Sequence, residues 1–218
     1  MVESDILKYK LFHSVRDGYV HVTSKNNFLK IIESKHIINN KNENFTYPQS
    51  ENSLCYLLGG VSLFDFEIPD EYLFRNVIVD HFSEFFTVHE PITIVIKLLK
   101  DDLVRKILFA EELKAKNEKL YKILIPNVEV CYLGNIHINN IEEAFMICAY
   151  DRDIYVKITR KQFTCIDIQK FEQKIKNRYE KTHGEFLKKK LSQENRSFAD
   201  MMYLERYQEI YNWLAVEI

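Results

Sequence analysis

An α+β fold is predicted for this chain by three observations. β-favouring runs dominate its middle, an early capped helix interrupts them, and only helical periodicity remains beyond about residue 165. Composition agrees with a globular protein: of 218 residues, 46% are hydrophobic and 28% charged, with a net charge of −2. That balance excludes disordered, collagen-like and rod-like classes. Lys+Arg at 30 against Asp+Glu at 32 leave no overall basic field, so any nucleic-acid contact must rest on a local patch. The start, Met1 to Asp5, has no basic and apolar leader pattern, and no apolar run reaches the ~18 residues of a membrane span. A cytoplasmic chain with no membrane partner is the expectation.

The elements follow in order. Tyr19-Val20-His21-Val22-Thr23 is a strand, and Ser24 caps a helix over Lys25 to Lys35 in which Phe28, Leu29, Ile31 and Ile32 cluster at helical spacing. Asn39 to Ser53 is polar and aperiodic, a long loop of the kind that serves as a binding loop or lid. Gly59-Gly60 breaks the chain before a strand over Val61 to Phe66. Pro91 precedes the most continuous apolar strand, Ile92 to Leu98, and a helix is expected over Asp101 to Lys116, with Leu103, Ile107, Leu108 and Leu113 near one face.

Further runs at Leu120 to Ile125, Val128 to Leu133, Ala144 to Tyr150 and Ile154 to Ile158 keep the middle mostly β. From Ile166 the spacing of Phe171, Ile175, Tyr179, Phe186, Leu187 and Leu191 is helical, with Gly184 as a candidate break. Ser197 caps a last helix from Phe198 to Val216. The change near residue 165 divides the chain into a domain over 1–165 and a helical C-terminal extension over 166–218. Cys55, Cys131, Cys148 and Cys165 form no C-x-x-C pair and sit among apolar neighbours, which argues for buried, reduced thiols and against a metal site.

Three places put a polar side chain into an otherwise apolar run. In the first strand Tyr19, His21 and Thr23 share a face beside a helix N-terminus, a corner that suits the oxygens of a phosphate or ribose. In the second, Ser62, Phe64 and Phe66 share a face, so a hydroxyl lies beside rings able to stack on a planar base. In the third, Glu129 shares a face with Cys131 and Leu133, and a carboxylate there needs water or a partner. Each place also has a purely structural reading, as a locally capped histidine, core phenylalanines, and a strand end open to solvent.

Taken together, His21-Val22-Thr23-Ser24 running into Leu29 to Ser34, then Val61 to Phe66, then Val128-Glu129-Val130-Cys131 before Gly134 to Ile138 and Ile141, resemble the ADP-ribosyltransferase superfamily. Its toxin-like members and the DNA-targeting enzymes of toxin/antitoxin systems are included in that likeness, which covers roughly residues 10–160. The resemblance implies a split, mostly antiparallel sheet with flanking helices, and NAD as co-substrate. It assigns His21 and Thr23 to the adenosine ribose, Ser62 and Phe64 to the cofactor cleft with the Phe64 ring against nicotinamide, and Glu129 as the catalytic carboxylate. Glu129 would accept a bond from the 2′-hydroxyl of the nicotinamide ribose and stabilise oxocarbenium character. No metal is implied. The acceptor would be a macromolecule, protein or nucleic acid, and a partner or antitoxin protein is implied by analogy. Asn127 stands two before the glutamate, where arginine-modifying relatives carry Glu and several others Gln, which weakens arginine as the acceptor.

Two other classes remain open. Arg178 and His183 match the R-x4-H spacing of HEPN-type ribonucleases, a spacing that chance alone supplies in a chain with this many Arg and His. A non-catalytic interaction protein on the same fold could use the Asn39 to Ser53 loop and the C-terminal helices. Lys188-Lys189-Lys190 reads as a solvated face or a nucleic-acid patch.

Overall fold

The computed structural model describes residues 10–39, 54–67, 91–101, 103–121, 129–165, 167–193 and 197–215. The fold is α+β. After a short helix α1 (Lys10–Val15) come strand β1 (Tyr19–Ser24), helix α2 (Lys25–Ser34), strand β2 (His36–Ile37), helix α3 (Leu54–Leu57), and strands β3 (Gly60–Asp65) and β4 (Ile92–Leu98). Then follow β5 (Ile107–Leu108), α4 (Ala110–Lys116), α5 (Glu118–Tyr121), β6 (Glu129–Leu133), β7 (Ile136–His137), β8 (Ile141–Cys148) and β9 (Asp151–Thr159). Helices α6 (Ile168–Ser192), α7 (Phe198–Met202) and α8 (Leu204–Ala215) close the described chain.

Seven strands make one sheet in the order β5-β6-β3-β1-β4-β8-β9, with every described pair antiparallel, while β2 and β7 form a separate ribbon. One face carries Tyr19, Leu63, Ile94, Ile96, Val130 and Met146 into a core that also holds Phe28 and Ile31 of α2 and Phe171, Ile175 and Ile210 of α6 and α8. The C-terminal helices thus share the core of the sheet. Among the described residues no helix is long and apolar enough to cross a membrane. Cys55, Cys131 and Cys148 are buried free thiols; the side chain of Cys165 lies outside the described ones.

The early corner forms as its sequence dictates: Ser24 is extended, its hydroxyl accepts from the Asn27 N–H, and Lys35 ends α2 in the left-handed region at φ 61°. Gly59, at φ 71°, makes the turn that delivers β3. The helix expected over 101–116 is interrupted. Val104–Lys106 is a 3-10 turn, Ile107–Leu108 pairs with Tyr132 and Cys131 of β6, and only Ala110–Lys116 is α-helical. Strand pairing at the edge of β6 outweighs a helical period that Ile107 and Leu108 could also serve. Leu120 and Tyr121, where a β run is expected to begin, instead end a helix over Glu118–Tyr121, and 122–128 lie outside the described residues. Gly184 does not break its helix: α6 runs unbroken through 25 residues. Residues 40–53 of the expected loop lie outside the described residues.

Candidate functional site

The site arises where two strands part. β1 pairs with β4 along its whole length, from Tyr19↔Leu98 to Ser24↔Thr93, but with β3 only at Tyr19↔Asp65 and Val20↔Phe64. Past Val20 the facing edges of β1 and β3 line a cavity of about 150 Å³. Its wall includes His21, Thr23 and Ser24 of β1, Asn27 of α2, Tyr56 of α3 and Ser62 of β3. That volume admits one ring-sized group.

His21 Nδ1 lies 3.0 Å from the Ser62 carbonyl oxygen. A carbonyl only accepts, so Nδ1 carries the proton and Nε2 is left as an acceptor. Burial holds the imidazole below its ordinary pKa of 6.5, against the smaller opposing effect of that hydrogen bond, so the ring is neutral at pH 7. Ser62 then makes a second connection: its hydroxyl donates to Glu129 Oε1 at 2.6 Å. Ser62 and Glu129 are both buried, at 6% and 9% exposure. The register explains why they meet, because Ser62 stands opposite Cys131 and Phe64 opposite Glu129, which puts all four on one face.

Strand alternation assigns His21 and Thr23 to the opposite face, with Val61 and Leu63. The imidazole and the carboxylate therefore approach the gap from the two sides of the sheet, and Ser62 is the residue both touch. Two of its neighbours below are thiols: Cys55 and Cys131 share a small buried cluster with Leu54 and Leu113. The side-chain hydrogen bond with Cys131, followed by burial, pushes the Cys55 thiol far up, so it is inert packing.

Of the residues expected in the cleft, His21, Thr23 and Ser62 line the cavity; Glu129 and Phe64 do not, and Glu129 is joined to its wall by the hydrogen bond from Ser62. Phe64 is 4% exposed and packs with its ring centroid 6.4 Å from that of Phe66. The ring expected against nicotinamide is thus a core residue, because Phe64 stands opposite Val20, where β1 and β3 are still paired and the gap has not opened. The aromatic ring in the wall is Tyr56, half-buried one turn ahead of the Gly59-Gly60 break. Its position beside that break is the signal that would have found it. Asn39 is the other residue missed. Its amide reaches the carbonyls of Tyr56 and Gly60, each at 3.4 Å, and ties the ribbon side of the wall to β3.

Arg178 and His183 are held apart from one another. The guanidinium of Arg178 donates to the Tyr155 carbonyl at 2.8 Å, and His183 Nε2 bonds Asp151 at 2.5 Å. Five residues along a helix place such side chains roughly 140° apart around its axis. Lys190 pairs with Asp200, while Lys188 and Lys189 are exposed. Among the described residues no group of three or more His, Cys, Asp and Glu could hold a metal ion. Comparison of the chain with family models, curated proteins and solved structures finds no match.

Proposed function

We propose that the chain is an NAD-dependent ADP-ribosyltransferase that cleaves the nicotinamide glycosidic bond and passes ADP-ribose to a macromolecular acceptor, protein or nucleic acid. The observation that carries this reading is the double engagement of Ser62, a residue of the cavity wall, whose carbonyl fixes His21 and whose hydroxyl fixes the buried Glu129 behind that wall. A neutral imidazole with Nε2 as acceptor takes a bond from a ribose hydroxyl, and Thr23 beside it supplies a second polar contact. Tyr56, in place of Phe64, offers the ring for the nicotinamide.

Glu129, oriented by Ser62, accepts from the 2′-hydroxyl of the nicotinamide ribose. As the bond from the anomeric carbon to the pyridine nitrogen breaks, its electron pair leaves with nicotinamide and positive charge builds on the ribose. A carboxylate already held in place stabilises that charge more than the ground state. The acceptor's nucleophile then bonds the anomeric carbon and gives up its proton.

Incubating the protein with a cell lysate and labelled NAD, followed by mass spectrometry, tests the reading and identifies the acceptor. The expected result is label on one class of macromolecule, absent with Glu129→Gln. Label absent with both proteins, together with no heat on titrating NAD into the protein, contradicts it.

A further inference from the structure

Helix α2 begins with an electrostatic conflict. Lys25 is its first residue and its first turn contains no acidic side chain, so a cation sits on the positive end of the helix dipole. The compensating anion comes from 147 positions further along: Lys25 Nζ lies 2.6 Å from Glu172 Oε2 of α6. Glu172 is 7% exposed, and its other oxygen accepts from the Trp213 indole N–H of α8 at 3.3 Å. One turn on, Lys176 is 3% exposed with its ammonium 5.7 Å from the centre of the Trp213 ring. A single buried carboxylate thus joins the start of α2 to both long C-terminal helices. Ser24 and Asn27, on either side of that start, line the cavity.

We infer that Glu172 is a positioning residue for the cavity, and that through Lys25 and Trp213 the C-terminal helices form part of the ligand site. The inference rests on the dinucleotide reading for the identity of the ligand. Its physical basis is independent of that reading: a buried carboxylate with two fixed partners defines one geometry, where an apolar contact would tolerate several. Fixing the first turn of α2 fixes the Ser24 hydroxyl and the Asn27 side chain in the cavity wall. Loss of the ion pair leaves the core intact and lets that wall shift.

The chain contains one tryptophan, Trp213, which reports on this cluster alone. ADP-ribose, which lacks the quenching nicotinamide, is titrated into the full chain and followed by calorimetry and by tryptophan emission, for the wild type, Glu172→Gln and Lys25→Met. Expected are saturable binding with a matching emission change in the wild type, and a Kd about tenfold higher in either variant, the low end for loss of an outer partner. The double variant should be no weaker than the single ones, since both remove one connection. Lys25 is partly exposed, so Lys25→Met keeps the test informative if Glu172→Gln misfolds. Wild-type binding with unchanged affinity in folded Lys25→Met overturns the inference and leaves the dinucleotide reading standing. No binding of ADP-ribose to the wild type overturns the inference, and the absence of heat on titrating NAD into the same protein then removes the dinucleotide reading as well.

Discussion

Ser62 connects two groups that the strand pattern alone separates, and its removal has a specific consequence. In Ser62→Ala the cavity wall keeps its backbone carbonyl and so keeps His21, but Glu129 loses its oriented donor. NAD affinity should stay within about threefold while turnover falls about 10-fold to 100-fold, read from initial rates of nicotinamide release. His21 makes a pH prediction. Its folded pKa lies below the ordinary 6.5, so below that pH the unfolded chain takes up a proton that the native ring refuses. Stability therefore falls as pH drops through 6.5 toward the lower native value. His21→Gln should flatten the decline in Tm between pH 7 and 5, and an unchanged slope would remove His21 as its source. At this scale the sequence was readable where alternation decides. His21, Ser62 and Glu129 stand out as polar residues in apolar strands, and hydrogen bonds through Ser62 join all three. Phe64 and Tyr56 were not separable in that way, because which ring meets the cavity depends on where β1 leaves β3, a long-range property with no local signature.

Elements were legible where caps and turns mark them and obscure where two pairings compete. Ser24 caps the helix expected after it, whereas Ser197 caps only Phe198–Met202, and Tyr203 divides the expected last helix before Leu204–Ala215. Ile107 and Leu108 fit a helical stripe equally well, and only the presence of the β6 edge makes them a strand. Glycines divide in the same manner. At Gly60 an added Cβ would come 2.3 Å from Cys131 Sγ and 2.7 Å from the Tyr132 carbonyl oxygen, so β3 can approach β6 only with glycine there. Gly60→Ala should lose about 1–3 kcal/mol in denaturant unfolding. At Gly184 the nearest atom is Glu180 Cγ at 3.2 Å, the flexible part of a surface side chain, in the interior of a continuous helix. Gly184→Ala should gain about 1 kcal/mol and raise Tm. Destabilisation by Gly184→Ala would mean that the helix needs its glycine for packing.

The whole molecule is organised around a sheet whose centre is closed on one side of β1 and opened on the other. β4 pairs with all of β1, β3 with its first two residues, and the unpaired remainder becomes the wall of a cavity. The change from β to helix near residue 165 was visible in the sequence, whereas the role of the helices was not, since Phe171, Ile175, Tyr179, Leu187 and Ile210 find their partners across the sheet. A chain ending at Cys165 should lack cooperative unfolding by circular dichroism, and a cooperative transition in that fragment would show the extension to be dispensable. The proposed function comes down to one carboxylate. Nicotinamide released from NAD in the presence of the lysate acceptor, compared between the wild type and Glu129→Gln at saturating NAD, measures it directly. The account predicts release by the wild type and a loss of about 100-fold or more in Glu129→Gln with NAD binding retained. Equal release by the two proteins, or none by a wild type that binds NAD, would contradict it.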